Sequence, residues 1–409
     1  MGGPLNPVFR RARGNRCAFR PDRKDNSLVP VLALSLHAGF ACRRSGACCT
    51  AGWPIPVEPD VAAALTANLP GRAGALISAG SMPGGAAAVI PPQPGGACPF
   101  YLPASGRLCA IQRQFGHEAL PASCRHFPRV ALLEADAVRV TLSHFCPSAA
   151  SMLFAESSGP PAVVAGAAGI ADRSEYSGFD ARATIPPLLR PGVAMDEAAC
   201  RHWEAFLLRT LTDPSCATPE EALGRVATAA DRVRAWTVEQ GSLESHVATM
   251  VTDGPAAPRG RWTMSQASAV RLFLLAAGSV PAGLAAPLVP ADAETADAAR
   301  VRPQWRQGPL GRYLAARSFG AWSAYLGEGI RTQVAVLAVT LAAVRIEAVR
   351  QAALARRPID DGMLLAAIRQ ADLLLLHLSD ARALVRSLTS VEDGPIEACL
   401  AMMGLEEAR

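Results

Sequence analysis

Seven of the eleven cysteines in this 409-residue chain fall between Cys42 and Cys146, and that crowding constrains what the surrounding residues can fold into. They lie in the stretches ACRRSGACCT, GACPFYLP, GRLCAIQ, PASCRHFPR and SHFCPSAA. Gly, Pro or Ser flanks most of them, which places the thiols on turns. Turns supply sharp changes of direction and exposed amides, both suited to a sulfur-rich, negatively charged centre. An odd total and a clustered distribution argue against a disulfide framework and for a reducing compartment. Cys200, Cys216 and Cys399 sit in or beside helical patterns and read as small buried apolar residues, while Cys17 lies in a basic N-terminal stretch.

A shared metal centre is therefore the leading chemistry for the seven, Cys42, Cys48, Cys49, Cys98, Cys109, Cys124 and Cys146. One structural zinc takes four ligands, commonly from paired C-x2-C knuckles, and the chain contains no C-x2-C. Adjacent Cys48 and Cys49 would point in different directions on a regular backbone, so both reach one centre only around a turn. A core with several metal corners, an iron-sulfur cluster or a multi-zinc thiolate cluster, accommodates them more easily. His117, His126 and His144 fall in the same region but show no H-E-x-x-H or H-x3-H spacing, and they are left out of the ligand set. Arg125, directly after Cys124, reads either as a partner for thiolate charge or for an anionic substrate group, and so as a candidate cofactor-binding residue, or as a surface arginine.

The fold class expected is α+β, a small loop-rich cysteine module followed by a mainly α-helical domain. Half of the residues are apolar, enough to fill a core in a chain long enough for two or three domains. Residues 1–30 form a basic tail carrying Arg10, Arg11, Arg13, Arg16, Arg20, Arg23 and Lys24, read as solvated rather than as a nucleic-acid-binding arm. The cysteine module is expected over 31–156, with a strand in 31–40, a helix over 57–69 that has Pro59 in its first turn, and a hairpin over 129–142. Residues 157–195 read as a Gly/Ala/Pro-rich linker, including VVAGAAGIA, which lacks G-x-G-x-x-G. Helices are expected over 197–211, 219–239, 265–277, 329–355 and 361–388, packing together within 196–409. The stretches 73–106 and 272–291 are uncharged but broken by Pro and Gly, and 332–344 has 13 uncharged residues, short of the roughly 20 that a membrane span needs. No membrane association is expected.

Read in order, FACRRSGACCTAGWPI, CPFY, LCAIQRQFGHEALPASCRHFPR and LSHFCP resemble the YkgJ-type cysteine-cluster proteins, a zinc- or iron-chelating family. More narrowly, the G-W after the double cysteine, the L-P-x-x-C-R-x-[FY]-P-R block and the late S-x-x-C-P resemble the flagellin lysine-N-methylase family. The resemblance spans roughly residues 38–150. It implies a cytoplasmic enzyme that uses S-adenosylmethionine and an iron-sulfur cluster to methylate lysines of flagellin, with the seven cysteines as cluster candidates. The family pattern carries a further cysteine between the first and the C-C pair, where residues 43–47 supply none and Ser45 stands near that place.

A lysine amine must lose its proton before it attacks a methyl sulfonium, and no motif identifies the base. Nor does the chain hold the C-x3-C-x2-C run of the usual radical S-adenosylmethionine enzymes. Two functions from different classes are therefore carried: a metal-dependent protein-lysine N-methyltransferase, and a non-catalytic zinc- or iron-chelating module in which the metal holds a loop-rich domain together.

Overall fold

Short strands joined by tight turns alternate with helices in the first third of the chain, and long helices dominate the rest. The computed structural model describes residues 29–69, 74, 76–78, 87–106, 108–155, 159–167, 178–183, 187–252, 261–281, 307–327, 329–389 and 405–408. The basic tail over residues 1–28, with Cys17, and the segment holding Cys399 lie outside these residues. The chain divides into two units, one built on Ala41–Val130, the other on Pro30–Phe40, Ala131–Arg173 and Gly178–Arg409. The architecture is mixed α+β.

In the first unit, Ile55–Val57, Ala88–Ile90 and Ile77–Ser78 form a three-stranded antiparallel sheet with Ala88–Ile90 in the middle. Ile55 and Val57 are buried while Pro56 between them is exposed, the period-two pattern of a half-buried strand. The helix Pro59–Asn68 follows with proline in its first turn, where a missing N–H costs nothing. Leu65 from that helix packs with Ile55, Val57, Ile90, Phe100, Ile111 and Leu120. The core is small: nine buried side chains among the described residues, two of them alanines. At roughly 1.5–3 kcal/mol for each large side chain, such a core leaves little surplus over the entropy of ordering so many turns.

In the second unit, five strands pair in the order Gly178–Asp180, Arg129–Leu133, Val138–Leu142, Val31–Leu34 and Val163–Ala165. Val31–Leu34 runs parallel to Val138–Leu142 and antiparallel to Val163–Ala165. The expected hairpin forms, closed by the Glu134 N–H donating to the Ala137 carbonyl at 2.9 Å. All five residues of Val138–Leu142 are buried, as expected of a strand covered on both faces. This sheet draws two edge strands from the stretch read as a linker, and it takes the hairpin and Cys146 into the second unit, so the sequence-based boundary at 156 does not coincide with the division at Val130.

The helices of the second unit follow their caps. Glu197–Leu211 starts where the Asp196 carboxylate accepts the Ala199 N–H at 2.7 Å, and Asp361–Asp372 starts where Asp360 accepts that of Met363 at 2.8 Å. Pro219–Arg234 ends five residues earlier than expected, because Thr237 and Gln240 form a reciprocal capping box for a separate short turn. The single helix expected over 361–388 is three pieces, Asp361–Asp372, a π-helical turn Leu373–Leu378, and Ala381–Thr389, with a 101° bend before the last. Asp380 makes the break by accepting the Ala383 N–H at 2.7 Å. Leu243–Thr252 and Gln307–Ser318 are helices that the sequence reading did not list.

Ile330–Ala355 is the central helix, apolar on nearly every side. By length and composition it could cross a membrane, contrary to the shortfall read over 332–344, but 94% of its apolar window is buried inside the protein. A helix that is hydrophobic all round and already covered is a core helix. It shares one continuous core with Trp203, Leu314, Ile368 and Leu374.

Candidate metal centre

The double cysteine is presented by a turn that needs glycine. Gly46 has φ +75°, in the left-handed region, and a Cβ there would lie 2.6 Å from the Tyr101 hydroxyl. Its carbonyl accepts the Cys49 N–H at 2.9 Å, opening the 3-10 turn Ala47–Thr50. On this tight turn, adjacent Cys48 and Cys49 bring their sulfurs to 3.9 Å from each other.

Backbone hydrogen bonds then deliver the other thiols. The Cys98 N–H donates to the Cys49 carbonyl at 2.7 Å, and the Gly52 N–H to the Gly96 carbonyl at 3.0 Å. Tyr101, whose N–H donates to the Cys98 carbonyl, pairs across a two-stranded ribbon with Cys109. Cys124 sits on the short helix Ala122–His126, and the Glu58 carboxylate accepts the Ala122 N–H of its first turn at 3.2 Å. Cys98, Cys109 and Cys124 all pack against the small apolar core.

Electrostatics ties these five thiols into one group. A hydrogen bond from Cys49 draws the Cys48 thiol down to about 7, and the same bond, with burial and the charges of Cys48, Cys109 and Cys98, pushes Cys49 up. The pair shares one proton. Burial raises Cys124, and Cys109, Cys98 and Cys48 raise it further. Ionising several of these sulfurs together is unfavourable without a cation among them, and a multivalent metal reverses that cost.

The sulfur donors have the right softness for zinc or iron-sulfur chemistry. Among the described residues, however, no three His, Cys, Asp or Glu side chains stand close enough to grip one metal ion. The five thiols interact over longer distances than a closed single-ion cage requires.

The remaining candidates sit elsewhere. Cys42 is exposed, and its sulfur accepts the Arg44 N–H at 3.4 Å. Cys146 belongs to the second unit, where it is buried at the start of the helix Pro147–Met152 and its charge acts on Arg369. Arg125 donates to the Glu118 carbonyl at 3.0 Å, a bond that ties its helix to the preceding turn His117–Ala119. His117 is exposed and His126 half-buried. Cys200 and Cys216 pack into or against the second unit's core, where burial raises their thiols to about 12 and about 11. All nine described cysteines are thiols.

His144 belongs to a buried polar network in the second unit that sequence reasoning missed. Its Nε2 lies 3.1 Å from that of His37, its Nδ1 is 3.3 Å from Asp372, and Tyr313 donates to the same carboxylate at 2.7 Å. Burial pushes the Asp372 carboxyl up, but the donors around it, with Arg317, outweigh this and hold it down to about 2. Ser143 and His377 hydrogen-bond at 2.8 Å, and burial lowers His377 to about 4. Comparison with known proteins found no matching family model, no matching curated protein and no matching solved structure.

Proposed function

We propose that this chain is a cysteine-cluster metalloprotein, with an iron-sulfur core in preference to zinc, that acts as an S-adenosylmethionine-dependent protein-lysine N-methyltransferase on a flagellin-type substrate in the cytoplasm. The observation that carries the metal reading is the turn that sets the Cys48 and Cys49 sulfurs 3.9 Å apart, with Cys98 hydrogen-bonded through the main chain to Cys49 and with Cys109 and Cys124 packed on the same small core. The methyltransferase reading rests on the ordered cysteine blocks and their family resemblance.

Cys48, Cys49, Cys98, Cys109 and Cys124 would hold the core, and Glu58 would position the helix that carries Cys124. Such a core would supply positive charge among the thiolates of Cys48, Cys49, Cys98, Cys109 and Cys124. The turn at Gly46 and the Cys98-to-Cys49 hydrogen bond hold together the two distant segments that carry these cysteines. Nine free thiols among the described residues suit a reducing compartment.

The second reading, a non-catalytic metal-binding module, is favoured by the small core of the first unit, which a structural metal would reinforce. Incubating anaerobically purified protein with S-adenosylmethionine and flagellin, then mapping methyl-lysine by mass spectrometry, separates the two. The enzyme reading expects added methyl groups and measurable cofactor binding by calorimetry. Stoichiometric metal with neither result favours the module.

A further inference from the structure

A cleft in the second unit, independent of the thiol group, has the chemistry of an amino-acid site. It encloses about 470 Å³, counting the part open to solvent. Arg139, Glu134, Glu204 and Arg201 line it together with Tyr325. Arg139 is 2% exposed and donates through Nε to Glu134 at 2.5 Å and through Nη1 to Glu204 at 2.6 Å. Tyr325 donates to the other oxygen of Glu134 at 2.6 Å. Arg201 stands at the rim, 3.9 Å from Glu134 and paired with Asp136.

The Nη2 of Arg139 is buried and has no hydrogen-bond partner. An orphaned buried guanidinium nitrogen is unfavourable unless an acceptor reaches it. The four charged linings, two arginines and two glutamates, sum to zero, so a ligand with a net charge gains little over a neutral one. The other wall is apolar, formed by Leu132, Met195, Ala321 and Ile330. Trp203, also on the wall, donates its indole N–H to Gln333, another lining residue, at 3.0 Å.

We infer that this cleft binds a free α-amino acid with an apolar side chain, its carboxylate meeting Arg139 and Arg201, its ammonium meeting Glu134 and Glu204, and its side chain lying against Leu132 and Met195.

The test is calorimetry on the full chain with L-leucine, against 3-methylbutylamine, which lacks the carboxylate, and 4-methylpentanoate, which lacks the amine. L-leucine binds, and each half-ligand binds about tenfold or more weakly, because each loses one set of charge-assisted hydrogen bonds. Ala321→Phe fills the cleft without touching an ion pair and abolishes binding while keeping the circular dichroism spectrum of the wild type. Arg201→Gln, at the rim, weakens L-leucine but leaves 3-methylbutylamine unchanged. No binding of L-leucine to folded wild-type protein, equal binding of either half-ligand, or undiminished binding to folded Ala321→Phe overturns the proposal.

Discussion

Cys98 is fastened to Cys49 through the main chain, its N–H donating to the Cys49 carbonyl at 2.7 Å, while the Cys49 sulfur stands 3.9 Å from that of Cys48. Three thiols from segments nearly fifty residues apart in sequence are thus held by one backbone bond and one tight turn. If they are ligands, removing one thiol strips metal and loosens the unit, because structural metal binding is also folding free energy. Cys49→Ser and Cys124→Ser each lose most of the bound metal and melt earlier than wild type. Cys216→Ser, in the second unit, keeps the metal although it disturbs packing. Elemental analysis beside a thermal melt reads all three, and full metal content in both of the first two variants refutes the assignment.

Gly46→Ala tests the turn. The residue has φ +75°, and the new Cβ would meet the Tyr101 ring and hydroxyl at 2.6–3.0 Å. Strain and overlap together cost about 1–3 kcal/mol. Urea unfolding followed by tryptophan fluorescence reads the loss, and an unchanged midpoint contradicts the steric account.

Glu58 reaches across the first unit to accept the Ala122 N–H with both carboxylate oxygens, at 3.2 and 3.3 Å. Glu58→Ala leaves that donor without its acceptor and frees the helix bearing Cys124. The expected cost is about 1–2 kcal/mol, the scale of a lost helix cap. Faster metal loss to a chelator than from wild type accompanies it, and an unchanged chelation rate separates Glu58 from the thiol group.

The buried network of the second unit makes stability fall on acidification in two steps. His377 is held at about 4, mainly by burial and further by Arg317, against the pull of Asp372. An unfolded histidine titrates near 6.5, so the contribution of neutral His377 is complete above about 6.5 and lost as pH falls toward 4, on the order of 3 kcal/mol. Asp372 is held at about 2, so its contribution is complete above about 4 and lost as pH falls toward 2. Urea midpoints at pH 7, 5.5, 4 and 3 trace both limbs. Burial, with His144, also lowers His37, which adds to the same limb, so His377→Asn shrinks the first limb without removing it and leaves the second; a wild-type midpoint unchanged from pH 7 to pH 4 rejects the burial argument.

Legibility in the sequence followed locality. Glu197–Leu211 was readable to the residue because its apolar spacing and the Asp196 cap lie within one window. Asp361–Leu378 was overextended because Ser379 and Asp380 interrupt an otherwise unbroken apolar pattern with a turn that the periodicity does not reveal. Val163–Ala165 and Gly178–Asp180 were hidden because they are short edge strands with exposed outer residues. In the site, the turn cysteines were evident from their flanking residues, but their division between units was not. Strand pairing between Val31–Leu34 and Val138–Leu142 draws the chain leading to Cys146 into the second unit. The bond from the His144 N–H to Asp372 joins residues 228 apart, a separation at which no local pattern operates.

The central claim is that the first unit's thiols bind metal. Elemental analysis of the full chain purified under argon, read with its ultraviolet-visible absorption spectrum, tests it most directly. The account predicts brown protein carrying iron and acid-labile sulfide; protein that stays colourless and metal-free after anaerobic reconstitution with iron and sulfide, and that takes up no zinc, contradicts it.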